Sequence, residues 1–332
     1  MKYSEPLSQI ALYKAWKSRS FEVQVGIHEL LGHGSGKLFQ QGTPEAEALV
    51  SSGFLHPLTQ QPVTGPFYAP GATWNSTFGK LSPSYEECRA ECTGLYLCLE
   101  EDVLQVFGVE PIPKDDTSAK KSDKHTIIHD VTYINWLLMV RAGLTGLEFY
   151  TPETKEWRQA HMQARFVILR LLLEAGNEED GYLCSLNFNT RKDGKPDVQV
   201  VLNRDLIATM GKKVIGDFLL KLQTYKSFGD AESGSSMYEG YSTVSAGMLK
   251  VREIVMARKE PRKLLVQPHL YQKSDAASAS DANANQQDES SVGYKTFPST
   301  AEGLIESFLT RFPSEDPELL ALYQTDKDAM KN

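Results

Sequence analysis

Ile27-His28-Glu29-Leu30-Leu31-Gly32-His33 is the stretch on which the reading of this chain turns. Two histidines enclose an acidic residue and an apolar pair. Metallopeptidases use a related pattern, two His four residues apart on one helix face with Glu beside the first. Here the second His stands five residues on. On an ideal α-helix four residues carry a side chain round to about 40° from its start, and five to about 140°. His28 and His33 therefore meet one metal only if the helix is locally overfull, as in a π-bulge. Gly32, directly before His33, would ease that distortion. The pattern predicts a helix over 21–37 with Phe21, Val25 and Leu31 on a common face.

A second block, Glu86-Glu87-Cys88-Arg89-Ala90-Glu91, supplies what two His lack. A zinc site with two His needs a third protein ligand, and a helical Glu is a common donor. Glu87 and Glu91 stand at i and i+4 on one face. One can bind metal while the other orients a ligating imidazole. The plainer alternative is an acidic helix start, since carboxylates favour the first turn.

Outward from these blocks the chain reads as mainly α. Ser82-Pro83, with Ser as N-cap and Pro in the first helical position, opens a helix predicted to run to about position 106. Between the two blocks, 40–80 is polar, rich in Gly and Pro, and carries few regular signals. Further helices are predicted over 127–150, from Thr151-Pro152-Glu153 to Gly176, over 204–226, and last over 300–312. Cys184, Leu186 and Phe188 alternate with polar residues, as do Val198, Val200 and Leu202. Lys192-Asp193-Gly194-Lys195-Pro196 between them is a turn, so one small β-hairpin is expected. Two polar inserts stand out: about 111–125, with two prolines and then dense lysine and aspartate, reads as an exposed linker, and 274–291, without large apolar residues, as a disordered loop.

Composition sets outer limits. Apolar residues make up 41% of the 332, and charged residues 23%, which excludes general disorder. The balance of 35 Lys and Arg against 43 Asp and Glu leaves −8, opposite to the basic footprint of nucleic-acid binders. No apolar run reaches the roughly 18 residues of a membrane span, and positions 1–20 lack the apolar core of a signal peptide. Four cysteines in so long a chain make no disulfide framework, so a reducing cytoplasm is expected. Cys88 and Cys92 read as small packing groups. His125 and His129 are also i and i+4, a weak signal for a second metal with only Asp130 as an acidic neighbour.

His-Glu-Leu-Leu-Gly-His followed by Glu-Glu-Cys-Arg-Ala-Glu resembles the dipeptidyl peptidase III family of zinc exopeptidases, whose mark is this i, i+5 spacing. The segments 147–153 and 157–166 look like family segments too, and Tyr238-Glu239-Gly240-Tyr241 and Arg262-Lys263-Leu264 add shorter ones. The resemblance spans nearly the whole chain outside the two inserts. It implies a two-lobed metallopeptidase of which 1–332 forms the helical zinc lobe. It implies one Zn2+ per chain, bound by His28, His33 and Glu87, with Glu86 and Glu91 as partners of the two imidazoles. Glu29 would be the general base and His161 would stand near the reacting carbonyl. Arg262 and Lys263 would line the substrate cleft.

The implied reaction is hydrolysis by metal-activated water, releasing N-terminal dipeptides from short peptides. The family's zinc helix lies far into a longer chain, after a substrate lobe, so that N-terminal lobe is expected to be absent from this sequence. An apolar cleft face and self-association are then expected. Pro62-Val63-Thr64-Gly65-Pro66 falls where some members carry an acidic partner-binding motif. Both acidic positions are lost here, so no such partner is expected. Two other readings stay open: a truncated zinc-binding protein without peptidase activity, and a zinc hydrolase of non-peptide substrates.

Overall fold

The computed structural model describes residues 6–110, 128–259, 264–272, 292–312 and 317–329. It is helical, with small two-stranded antiparallel sheets. The chain divides into two compact units, Met1–Lys259 and Glu260–Asn332. The polar inserts, together with His125, Arg262 and Lys263, lie outside the described residues.

In the larger unit helix α1 (Pro6–Ile27) begins well before position 21 and gives way to a π-helical turn over His28–His33. The face it buries is Ser20, Val23, Gln24, Ile27 and His28, spaced three and four apart. Phe21, Val25 and Leu31, expected to share a common face, are instead exposed. Apolar content alone picks the wrong face here, because Gln24 and His28 find buried polar partners and so can face inward.

The stretch 40–80 is more regular than its composition suggests. Thr43 caps α2 (Pro44–Ser51) and Thr73 caps α3 (Trp74–Phe78), each accepting a backbone N–H through its side chain. Helix α4 (Ser82–Leu97) then forms the axis of the unit. Ser82 is its first helical residue and not its cap, and it stops at Leu97. A turn leads to a separate α5 (Glu101–Val106). Helix α6 (Asp130–Thr145) is capped by His129, whose Nδ1 accepts from the Val131 N–H, so this histidine has a local structural role.

Thr151-Pro152-Glu153 does not start a helix. It lies in the hairpin between β1 (Tyr150–Thr151) and β2 (Glu156–Trp157). Helix α7 (Ala160–Leu173) starts after it, capped by Gln159. A short pair, β3 (Gly176–Asn177) and β4 (Gly181–Tyr182), precedes the expected hairpin, β5 (Cys184–Thr190) with β6 (Pro196–Leu202). Leu186 faces Val200 and Phe188 faces Val198 across the ladder. A 3-10 turn and a second π turn lead into α8 (Lys212–Phe228), followed by α9 (Ala231–Ser242) and α10 (Ala246–Ala257).

Helices α1, α7 and α8 pack on α4, and α6 packs on α1 and α7. Tyr85, Cys88, Cys92, Leu95, Trp136, Phe166, Leu169 and Leu172 form the centre of the core. A methyl group added at Gly143 would lie 2.4 Å from the Arg165 carbonyl oxygen, so only glycine lets α6 and α7 come this close. All four cysteines are free and buried, and burial pushes the Cys98 thiol up to about 12. They pack as apolar groups.

In the smaller unit β7 (His269–Gln272) pairs with β8 (Val292–Lys295). Thr300 caps α11 (Ala301–Arg311), and Ser307 and Arg311 of that helix both donate to Gln267. Helix α12 (Pro317–Ala329) follows. No helix among the described residues is long and apolar enough to cross a membrane.

Candidate metal centre

The π turn resolves the angular problem posed by the i, i+5 spacing. Hydrogen bonds from i to i+5 put one extra residue into the turn, which returns the fifth side chain to the face of the first. The His28 and His33 rings stand 4.7 Å apart, nearly perpendicular. Gly32 matters chiefly for packing. A methyl group there would lie 2.7 Å from Ala90 Cβ and 2.8 Å from Ala90 Cα. Glycine on the turn and alanine on α4 let the two backbones approach, and that brings both histidines to the carboxylates of α4.

Glu87 sits between the rings. Its Oε2 is 3.2 Å from His28 Nε2 and 3.6 Å from His33 Nε2. The opposite nitrogens face the neighbouring carboxylates. His28 Nδ1 is 3.4 Å from Glu91 and His33 Nδ1 is 3.1 Å from Glu86. A carboxylate beside each Nδ1 favours a proton there, so that in the neutral ring the Nε2 lone pair is directed at the Glu87 side. His161, on α7, places Nδ1 3.0 Å from the same Glu87 oxygen. That approach lacks hydrogen-bond alignment, so both buried atoms stay without a hydrogen bond. Glu29, between the two histidines in sequence, is exposed, and its carboxylate has no partner among the described residues.

Each outer carboxylate is itself anchored. Glu91, on the buried side, accepts from Gln24 Nε2 at 2.7 Å and from Arg165 Nε at 2.8 Å, and Asn135 donates to Gln24 at 2.8 Å. Glu86 accepts from Arg89 and from Lys226 Nζ, both at 2.6 Å. Burial by itself would raise both carboxyls, but the hydrogen bonds and charges around them outweigh it. Those of Arg89 and Lys226 hold Glu86 down at about 2, and those of His28, Arg165 and Gln24 hold Glu91 there. For His28, burial works downward, yet Glu87 and Glu91 push it up to about 9. The pocket therefore favours positive charge at its centre.

These observations fit a divalent cation. One ligand atom from each of His28, His33 and Glu87 lies within 4.8 Å of the others, and no second such group occurs among the described residues. Two imidazole nitrogens and a carboxylate oxygen without a donor form an N and O ligand set of the kind metals take.

The model for peptidase family M49 matches residues 6–312. This chain belongs to peptidase family M49. The member is 47% identical over 319 residues to dipeptidyl peptidase 3 of Nematostella vectensis, covering 95% of this chain and 38% of that one. It is 46% identical over 312 residues to the Homo sapiens protein of that name, covering 93% and 38%. With Dictyostelium discoideum the identity is 37% over 318 residues, covering 93% and 40%. This M49 chain thus spans about two fifths of the length of the curated relatives it matches. A solved structure of DPP III from Caldithrix abyssi aligns over 71% of this chain and 32% of that one, at 17% identity and a TM-score of 0.39.

Several residues of the site escape a sequence reading. Arg89 lies inside the second motif, three residues from Glu86, and Gln24 lies four before His28, so helical spacing offers a clue to both. Arg165 is four beyond His161 on the same face. Nothing in the sequence ties Asn135 or Lys226 to the site, because each arrives from a helix remote in the chain.

Proposed function

We propose that this chain carries the metal centre of a dipeptide-releasing exopeptidase, with one Zn2+ held by His28, His33 and Glu87. The observation that carries this is the π turn, which sets both Nε2 atoms on one oxygen of Glu87. Two imidazoles, one carboxylate and an open position form a catalytic zinc set, and zinc so held lowers the pKa of its water to about 7. Glu91 and Glu86 hold the two rings in the tautomer that ligation needs.

Glu29 follows His28 directly, faces solvent and carries no competing ion pair. It is the group free to take a proton from water and return it to the leaving amine. His161 is fixed by α7 beside Glu87. It offers a donor set in place beforehand for the oxyanion of the scissile carbonyl. Short peptides are the proposed substrates, and Arg262 and Lys263 are proposed to contact them. Four free, buried thiols suit the cytoplasm.

The test is an assay of the zinc-loaded chain with a dipeptidyl-arylamide, beside a blocked-amine analogue. Release of arylamine from the free-amine substrate alone supports the proposal. Stoichiometric zinc without turnover of any ester, amide or peptide supports a binding protein instead.

A further inference from the structure

A guanidinium has five N–H donors, and one buried completely must place them all. Arg89 is such a group, its side chain only 1% exposed. Its Nε and Nη2 clasp the two oxygens of Glu86 at 3.0 and 2.6 Å. Nη2 also donates to the Gly32 carbonyl at 2.7 Å, and the Ser35 carbonyl at 3.2 Å shares one of its two hydrogens. Nη1 donates to the Ser35 hydroxyl at 3.1 Å and to Gln223 Oε1, on α8, at 3.0 Å.

These acceptors share a geometric meaning. The Gly32 carbonyl belongs to the peptide that leads into His33, and Glu86 is the carboxylate that faces His33 Nδ1. One planar group therefore grips the backbone before His33 and the acceptor of its ring. The Gly32 carbonyl also accepts from the Ser35 N–H at 3.3 Å and the Ser35 hydroxyl at 3.1 Å, and the bond from Arg89 is the shortest of the three. Arg165, the arginine behind the other histidine, is different in kind. It bonds Glu91 and, among the described residues, no backbone of the π turn.

We propose that Arg89 is a positioning residue for His33, fixing the direction of its imidazole by holding the Gly32 carbonyl and the Glu86 carboxylate in one rigid fork. Lysine keeps the charge but cannot hold both at once, since it lacks the planar array of donors. The inference rests on the metal centre proposed above.

The experiment measures Zn2+ affinity by chelator competition, and the visible spectrum of the Co2+-substituted protein, for the unaltered chain, Arg89→Lys and Arg165→Lys. Thermal melting of the metal-free forms reports folding. Arg89→Lys is expected to lose about tenfold or more in Zn2+ affinity, the scale for groups that orient a ligand. Its Co2+ spectrum changes shape more than that of Arg165→Lys. A folded Arg89→Lys with unaltered affinity and spectrum overturns the proposal. Should Arg89→Lys fail to fold, the double variant Ser35→Ala with Gln223→Leu decides. It leaves the Nη2 bonds to Glu86 and the Gly32 carbonyl but frees Nη1 and removes the Ser35 hydroxyl's bond to that carbonyl, so the guanidinium can pivot and the affinity is expected to fall about threefold, a partial loss on that scale. No change there overturns the proposal. An unaltered chain that binds no Zn2+ overturns the metal centre itself, and this one with it.

Discussion

The two histidines of the centre are supported in opposite ways. The His28 side chain is 7% exposed and that of its partner Glu91 2%, whereas His33 is 31% exposed and Glu86 18%. Behind them the order reverses. Glu91 leans on Arg165, whose side chain is 27% exposed and can reach water. Glu86 leans on Arg89 and Lys226, exposed only 1% and 9%. The outer histidine thus rests on the more deeply buried cations. Exposure of a ligand is a poor guide to the cost of disturbing its support, because an orphaned charge costs most where water cannot reach it.

Four experiments would break or sharpen this contrast. The largest effect is expected at Glu87, the one carboxylate both halves share. Glu87→Ala should abolish tight metal binding, while Glu86→Ala and Glu91→Ala each lose about 10- to 100-fold in affinity. Equal losses in chelator competition across all three would erase the distinction between ligand and support. Next comes Glu29→Gln, which belongs to neither half. Hydrolysis of a dipeptidyl-arylamide should fall about 10²- to 10⁴-fold with zinc content unchanged. Full activity would remove Glu29 from the chemistry.

The third experiment addresses the reversal directly. Glu86→Ala leaves two buried cations unpaired and should cost about 3–5 kcal/mol of metal-free stability. Glu91→Ala should cost less, since Arg165 can turn to solvent. Denaturant unfolding of both variants checks the order, and a larger loss for Glu91→Ala would refute it. The smallest change is Gly32→Ala. Its methyl group must push the π turn away from Ala90, a small-to-large strain of about 1–3 kcal/mol. A melt no lower than that of the unaltered chain would show that the turn yields freely.

The motifs carry much of the centre, since His28, His33 and Glu87 lie in two short blocks whose spacing reports their geometry. The unlikely i, i+5 pair announces the π turn for a simple reason: no regular α-helix puts both rings on one side. The hairpin at Cys184–Thr190 and Pro196–Leu202 was legible too, because strand alternation and turn chemistry are local. The buried face of α1 was not. Its outward Phe21 and Val25 are more apolar than its inward Gln24 and His28, and only partners on α4 and α6 make the polar face the inner one.

By itself, then, the sequence determined which residues can ligate a metal, that the helix bearing them must be locally widened by an extra residue, and the family of the chain. Tertiary structure decided which side chains from remote helices anchor the carboxylates behind those residues. Lys226 reaches Glu86 across 140 residues, Asn135 reaches Gln24 across 111, and Arg165 reaches Glu91 across 74. Local spacing encodes which side chains share a face. Charge compensation in a core depends on which helices pack together, and that is settled by the burial of the whole chain.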